Sequence, residues 1–227
     1  MRNTTNKDYF SIFETLDLTK WIDLSILTHH LPNPIYKSQN GEDYIIEEIM
    51  NRCNPEHKII VEVGGHDPVE ISNSWHMITQ CGWDGVLIEK DDIWAKKEFE
   101  YYKDNPKVHC IHSEVTPNNL NSLLSPLCLP KNFACLSIDI DCWDYEVWKN
   151  LTYYEPELVI IEQDPFENDL SVESYFPDRT EFDDPYLGGV SLGLLLKLAK
   201  EKGYEYIYTH NQNSFFIKPE FAKGIRI

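Results

Sequence analysis

The order of apolar runs along this chain predicts an α/β protein with a doubly wound sheet of seven strands, mostly parallel and ending in an antiparallel hairpin. Three observations carry the prediction. Five short apolar runs alternate with segments of helical periodicity, the pattern of repeated βα units. The first run, Ile59-Ile60-Val61-Glu62-Val63, closes on Gly64-Gly65, where glycines permit positive φ and a close backbone approach. The last two runs are separated only by His210-Asn211-Gln212-Asn213, a connection too short for anything but a hairpin.

Residues 1–36 read as a helical amino-terminal arm that stops at Leu31-Pro32-Asn33-Pro34, because proline cannot continue a helix; residues 37–227 read as one domain. After Gly41, Tyr44, Ile45, Ile49 and Met50 recur at helical spacing until Asn54-Pro55. Strand one is expected at 58–63, a helix at about 72–80 ended by Cys81-Gly82, and strand two at 85–89. A helix at about 92–102 and a third strand at 107–112 follow. The fourth strand, 133–139, is almost wholly apolar, as a strand covered on both faces must be. A helix at about 144–151, a fifth strand at 158–162, and a helix at 191–202 stopped by Gly203 lead to the hairpin strands at 205–209 and 214–218. Residues 165–185, rich in Asp, Glu, Pro and aromatics, have no period and read as a lid or binding loop.

The 227 residues carry 20 basic and 38 acidic side chains, a net charge of −18 that opposes binding to a phosphate backbone. Nucleic acid is therefore not expected as a partner. No apolar run approaches the roughly 20 residues that span a bilayer, and residues 1–10 are too polar for a secretory signal, so a soluble, cytoplasmic protein is expected. The six cysteines are scattered without a CxxC pair, the pattern of reduced core residues rather than of a structural zinc site. Oligomeric state is left open.

Ligands in such sheets bind beyond the carboxyl ends of the strands. Here those ends carry Gly64, Gly65, Asp67, Glu89, Ser113, Glu114, Asp139, Asp141 and Glu162. The glycine turn, with an acid at the tip of strand two, predicts a nucleoside-containing cofactor whose ribose hydroxyls meet Glu89.

Taken in order, several segments together resemble class I S-adenosylmethionine-dependent methyltransferases, and among them the FkbM-type group. They are Ser38-Gln39-Asn40-Gly41-Glu42-Asp43, Glu62-Val63-Gly64-Gly65-His66-Asp67, Ser72-Asn73-Ser74, Gly82-Trp83-Asp84-Gly85-Val86-Leu87-Ile88-Glu89, Leu136-Ser137-Ile138-Asp139-Ile140-Asp141 and Gly203-Tyr204. The resemblance implies a Rossmann-like fold and S-adenosyl-L-methionine as cofactor. It implies Gln39, Glu62, Gly64, Gly65, Asp67 and Asp139 around that cofactor, Glu89 on its ribose, and Ser113 and Glu114 near its adenine. The acceptor it implies is a hydroxyl, of a sugar in a glycan or a glycosylated natural product, acting as small-molecule or glycan substrate. His66, Pro68 and Cys142 depart from the usual pattern.

Asp139 and Asp141 would share one face of an extended strand, beside Glu162 at the tip of strand five. An all-oxygen set of this kind suits Mg²⁺ or another divalent cation that orients a hydroxyl and lowers its pKa. Alternatively Asp139 or Asp141 acts as a general base without metal. A third reading leaves them out of the chemistry, with Asp139 on the cofactor's amino group, Asp141 capping the next helix and Glu162 in a buried hydrogen bond. Two other functions share part of the pattern: a nicotinamide-dependent oxidoreductase, which the missing GxGxxG disfavours, and a non-catalytic nucleoside-binding protein of the same fold.

Overall fold

The computed structural model describes residues 21–22, 35–140, 143–164, 169–176 and 189–226. Along the chain run α1 (Glu42–Cys53), β1 (Ile59–Val63), α2 (Trp75–Thr79), β2 (Asp84–Glu89), α3 (Asp92–Tyr102), β3 (Val108–His112) and α4 (Leu120–Leu124). Then follow β4 (Cys135–Ile138), α5 (Asp144–Asn150), β5 (Leu158–Glu162), β6 (Tyr175–Phe176), β7 (Gly189–Val190), α6 (Leu192–Lys202), β8 (Glu205–His210) and β9 (Asn213–Ile217).

Seven strands form one sheet in the order β3-β2-β1-β4-β5-β9-β8. β1 pairs in parallel with both β2 and β4, so the direction of winding reverses between β1 and β4. β9 inserts antiparallel between β5 and β8 and is the one reversed strand. The predicted architecture is the observed one.

Successive strand residues point to opposite faces, and the core divides accordingly. Val61, Leu136 and Val159 join Leu124, Trp148 and Leu195 on the face covered by α4, α5 and α6. Ile60, Cys135 and Leu158 join Ile45, Ile49 and Met77 on the face covered by α1 and α2. Both faces are buried, which is why the central strands read as unbroken apolar runs.

Helix ends follow local chemistry. The Asp91 carboxylate accepts from the amides of Ile93 and Trp94 to start α3, and Gly203 at φ 75° ends α6. The predicted helix at 72–80 is shorter, Trp75–Thr79, because the segment before it turns back onto β1. α4 was not predicted; it is only five residues long, too short to establish a period. Part of the aperiodic stretch 165–185 pairs instead of looping, since Tyr175 and Phe176 form a two-stranded ribbon with Val190 and Gly189. Residues 165–168 and 177–185, like most of the predicted amino-terminal arm, lie outside the described residues. Of the arm, Trp21 bridges antiparallel to Arg226 and donates from its indole to the carbonyl of Tyr206 at 3.0 Å. Among the described residues no helix is long and apolar enough to cross a membrane.

One buried group sets a pH dependence. Glu98 on α3 is 1% exposed, and its Oε2 meets no hydrogen-bond donor among the described residues. Burial first, and then the nearby Glu62 and Glu89 carboxylates, push its pKa up to about 9. The folded state thus retains a proton that the unfolded chain releases above the ordinary carboxylate range, so this group lowers stability progressively as pH rises towards about 9. Glu98→Gln should remove that loss. In urea unfolding, the variant's stability advantage should grow between about pH 5 and about pH 8, at up to about 1.4 kcal/mol per pH unit. A constant difference across that range would refute the assignment.

Candidate active site

The carboxyl ends of β1, β2, β4 and β5 meet at the switch point, and the turn after β1 is built by close contact. Gly64 has φ +83°, and a Cβ there would lie 1.8 Å from the carbonyl oxygen of Asp139. Only glycine lets the β1 turn lie against the end of β4. Gly64 N–H donates to the Ile88 carbonyl at 2.9 Å, and Asp139 N–H to the Val63 carbonyl at 3.0 Å. These bonds carry the ladder just beyond the strands on both sides of β1.

Beneath the turn lies Glu62, 4% exposed. Its Oε2 accepts from the Ser72 hydroxyl at 2.8 Å, the Ser74 amide at 3.3 Å and the Ser74 hydroxyl; its Oε1 accepts from the Asn73 amide at 2.6 Å. Asn73 Nδ2 continues to Ser137 Oγ on β4 at 3.0 Å. Burial raises the Glu62 pKa, against the opposing pull of the Ser74, Ser72 and Asn73 donors.

Glu89 at the tip of β2 is also buried, and both its oxygens are held by main chain. Oε2 accepts from His66 N–H at 3.1 Å and Oε1 from Asp91 N–H at 2.7 Å. A carboxylate oxygen accepts more than one hydrogen bond, so this fixed group keeps capacity for two further donors such as vicinal hydroxyls. His66, at φ 56°, packs against Trp94 with ring centroids 3.9 Å apart and the planes tilted by 38°, and Lys97 Nζ lies 3.7 Å from the centroid of the Trp94 ring.

The remaining predicted residues are placed as follows. Asp67 Oδ1 accepts from the amides of Val69 and Glu70, each at 3.0 Å, and Oδ2 lies 3.5 Å from Lys97 Nζ. Burial pulls this carboxyl upward, but the two amides and the ammonium outweigh it and hold the pKa below its usual value. The structure therefore uses Asp67 in the turn itself. Ser113 N–H donates to the Glu89 carbonyl at 3.0 Å and its hydroxyl to the Glu114 carbonyl at 3.2 Å; the Glu114 side chain is exposed. Gln39 is exposed on the segment that ties the start of α1 to the hairpin. Glu162 Oε1 accepts from Gln212 Nε2 at 2.8 Å. Asp139 stands at the end of β4, whereas Asp141 lies outside the described residues, so the proposed ligand trio is not described as a set.

Sequence reasoning missed a second polar group at this end of the sheet. Glu42 is fully buried and accepts from Asn40 N–H at 2.9 Å and from Asn213 Nδ2 at 3.2 Å. His210 Nε2 lies 2.8 Å from the Asn40 carbonyl, so the hairpin connection does curl back to residues 38–41. Gln163 and Asn213 are buried here with side-chain carbonyl oxygens that meet no donor among the described residues. The sequence signal was present in the polar residues flanking strand five and the hairpin, but nothing in it joined them to Glu42, 171 residues from Asn213. An open depression bordered by Glu56, His57, Lys58, Gly82 and Lys107 lies at the amino ends of β1, β2 and β3, the end of the sheet opposite this crevice.

Comparison with solved structures places the fold. A candidate caffeoyl-CoA O-methyltransferase from Staphylococcus aureus overlays with a TM-score of 0.50 at 13% identity, over 93% of this chain and 99% of the other. A candidate sarcosine dimethylglycine methyltransferase from Galdieria sulphuraria gives 0.50 at 14% identity, over 74% and 61%. The N-terminal domain of EvdMO1, solved with SAH bound, gives 0.49 at 11% identity over 80% of each chain. No protein-family model matches the sequence, and neither does any curated protein. The likeness is one of fold.

Replacing Gly64 tests the close approach. Gly64→Ala should destabilise the chain by about 2–4 kcal/mol, since the methyl group meets backbone and φ is positive. Gly82→Ala, also at positive φ but with open space around it, should cost no more than about 1–2 kcal/mol. Equal melting temperatures for the two variants would contradict this packing.

Proposed function

We propose that the chain is an S-adenosylmethionine-dependent methyltransferase that methylates a hydroxyl. The observation that carries the reading is the Glu89 carboxylate, locked by two main-chain amides at the tip of β2 beside the Gly64-Gly65 turn. That is the place and chemistry for ribose hydroxyls in an α/β sheet with its switch point between β1 and β4. The sheet order, with its reversed β9, supports a methyltransferase over a nicotinamide oxidoreductase, because the two overlaid proteins at a TM-score of 0.50 are both described as methyltransferases.

In this reading Gly64 and Gly65 admit the methionine end of the cofactor, and Glu89 holds the ribose. Ser113 and Glu114 border the adenine, and Gln39 approaches from the segment preceding α1. The cofactor supplies an electrophilic methyl group. The chain's part is to align an acceptor oxygen with that carbon and to take up the hydroxyl proton, which much of the rate enhancement requires to be done in fixed geometry. Asp139 or Asp141 is the proton acceptor, or else both join Glu162 in holding a divalent cation that makes the hydroxyl more acidic. A sugar hydroxyl of a glycan or glycosylated natural product is the acceptor that the FkbM-type resemblance favours.

Isothermal titration calorimetry tests the cofactor. Binding of S-adenosylmethionine or S-adenosylhomocysteine without binding of NAD is expected; heat from NAD alone would sink the proposal. Glu89→Ala should weaken S-adenosylhomocysteine by roughly 10- to 100-fold, as expected for losing hydrogen bonds to a charged group. Asp141→Ala should abolish methyl transfer while leaving cofactor affinity within about tenfold. Chelation with EDTA separates the two catalytic versions: recovery on adding Mg²⁺ supports the metal, and full activity in excess chelator excludes it.

A further inference from the structure

Away from the crevice, on the face of the sheet covered by α1 and α2, three potential metal ligands converge. Glu47 on α1, His76 on α2 and Cys81 just after α2 present one ligand atom each, all within 4.8 Å of one another. His76 is 2% exposed, and its two ring nitrogens have different surroundings. Nδ1 lies 3.1 Å from the Ile35 carbonyl oxygen, which can only accept, so Nδ1 carries the ring proton. That leaves Nε2 as the ring nitrogen that can coordinate an ion. Nε2 faces Glu47 Oε2 at 3.1 Å, yet among the described residues it has no hydrogen-bond partner with acceptable alignment. A buried ring nitrogen left without a hydrogen bond beside a carboxylate is unfavourable unless a cation lies between them.

We propose that Glu47, His76 and Cys81 form a binding site for a single divalent transition-metal ion of the zinc type. With zinc bonds of about 2.0–2.3 Å, a tetrahedron has an N···O edge of about 3.4 Å and an S···O edge of about 3.6 Å. The observed separations are of that size: His76 Nε2 lies 3.1 Å from Glu47 Oε2, and the Cys81 thiol donates to the other carboxylate oxygen, Oε1, at 3.7 Å. One sulfur, one imidazole and one carboxylate suit a borderline cation and not Mg²⁺ or Ca²⁺, which prefer all-oxygen shells. Thiolate, carboxylate and neutral imidazole together balance a dipositive charge. Coordination replaces the Cys81 S–H bond with S–metal, and the displaced proton leaves to solvent.

The outer contacts are those a metal-bound set requires. The Ile35 carbonyl orients the His76 ring, and Tyr36 Oη donates to Glu47 Oε2 at 2.7 Å. Tyr36 also lies against the His76 ring, with centroids 4.5 Å apart. Glu47 is 22% exposed, which gives an ion a route in. The site would join α1 to α2, the helices that follow residues 38–41 and 72–74. Its role is therefore to brace the elements behind the crevice and not to touch the reacting groups. Spacings of 29 and 5 residues between the ligands hide the set from motif reading.

The test is a titration of the metal-stripped full chain with Co²⁺, read by its absorption spectrum and followed by displacement with Zn²⁺. One equivalent should give tetrahedral d–d bands and a thiolate-to-cobalt charge-transfer band. Cys81→Ser should abolish the charge-transfer band and weaken Zn²⁺ by roughly 100-fold, while Tyr36→Phe, which loses only an outer contact, should weaken it by about tenfold. Cys53→Ser, a cysteine outside the set, should change neither. Circular dichroism reports folding of each variant, and Glu47→Gln, nearly isosteric and partly exposed, serves if Cys81→Ser does not fold. A missing charge-transfer band in the unmodified chain would overturn the proposal. So would a band that survives Cys81→Ser, or a Zn²⁺ affinity that Glu47→Gln leaves unchanged.

Discussion

The buried carboxylate of Glu62 is the constraint on which the crevice depends. It sits at the penultimate position of the central strand β1, almost wholly buried, and the donors it needs come from Ser72, Asn73 and Ser74. A buried carboxylate without donors costs several kcal/mol, so the segment after the turn is obliged to return over the end of β1. That return shapes the glycine turn from below, delays the start of α2 to Trp75, and through Asn73 ties the arrangement to Ser137 on β4. Three neighbouring elements are fixed by one carboxyl group, and the crevice is the space they leave.

The same economy governs the other acids. Of the many carboxylates near the strand ends, some are used by the fold: Asp67 and Asp91 organise turns and a helix start, and Asp144 reaches back to the Ile140 amide at 2.9 Å. Glu89 differs because main-chain donors fix its position without exhausting its acceptor capacity. Acid count alone does not separate these roles. The direction each carboxylate faces, and how many donors already reach it, does.

Much of the fold was legible because both faces of the sheet are buried. Ile60 and Val61 enter opposite cores, as do Leu158 and Val159, so the strands had to be apolar runs of strand length bounded by turns. The α3 helix was read with its observed limits because Asp91 provides a local cap. The β6–β7 ribbon was not legible, since a two-residue pairing has no pattern to display. In the candidate site, the glycines and Glu89 were visible from their place after apolar strands. The engagement of Asp67 in its own turn was not, because an Asx turn and a ligand contact call for the same residue at the same position.

By itself the sequence determined the class of fold, the sheet's covered faces and the end of the sheet at which polar residues gather, because periodicity, glycine and strand length are local properties. Tertiary structure decided which polar residues meet. Gly64 must be glycine because the carbonyl of Asp139 occupies the space of its Cβ, a fact about two segments 75 residues apart. Glu42 meets Asn213, and Glu47 meets His76 and Cys81, through packing that no spacing records. The physical reason is the same in each case: hydrogen bonds and coordination act over a few ångströms in space, and only the folded sheet brings distant positions within that range.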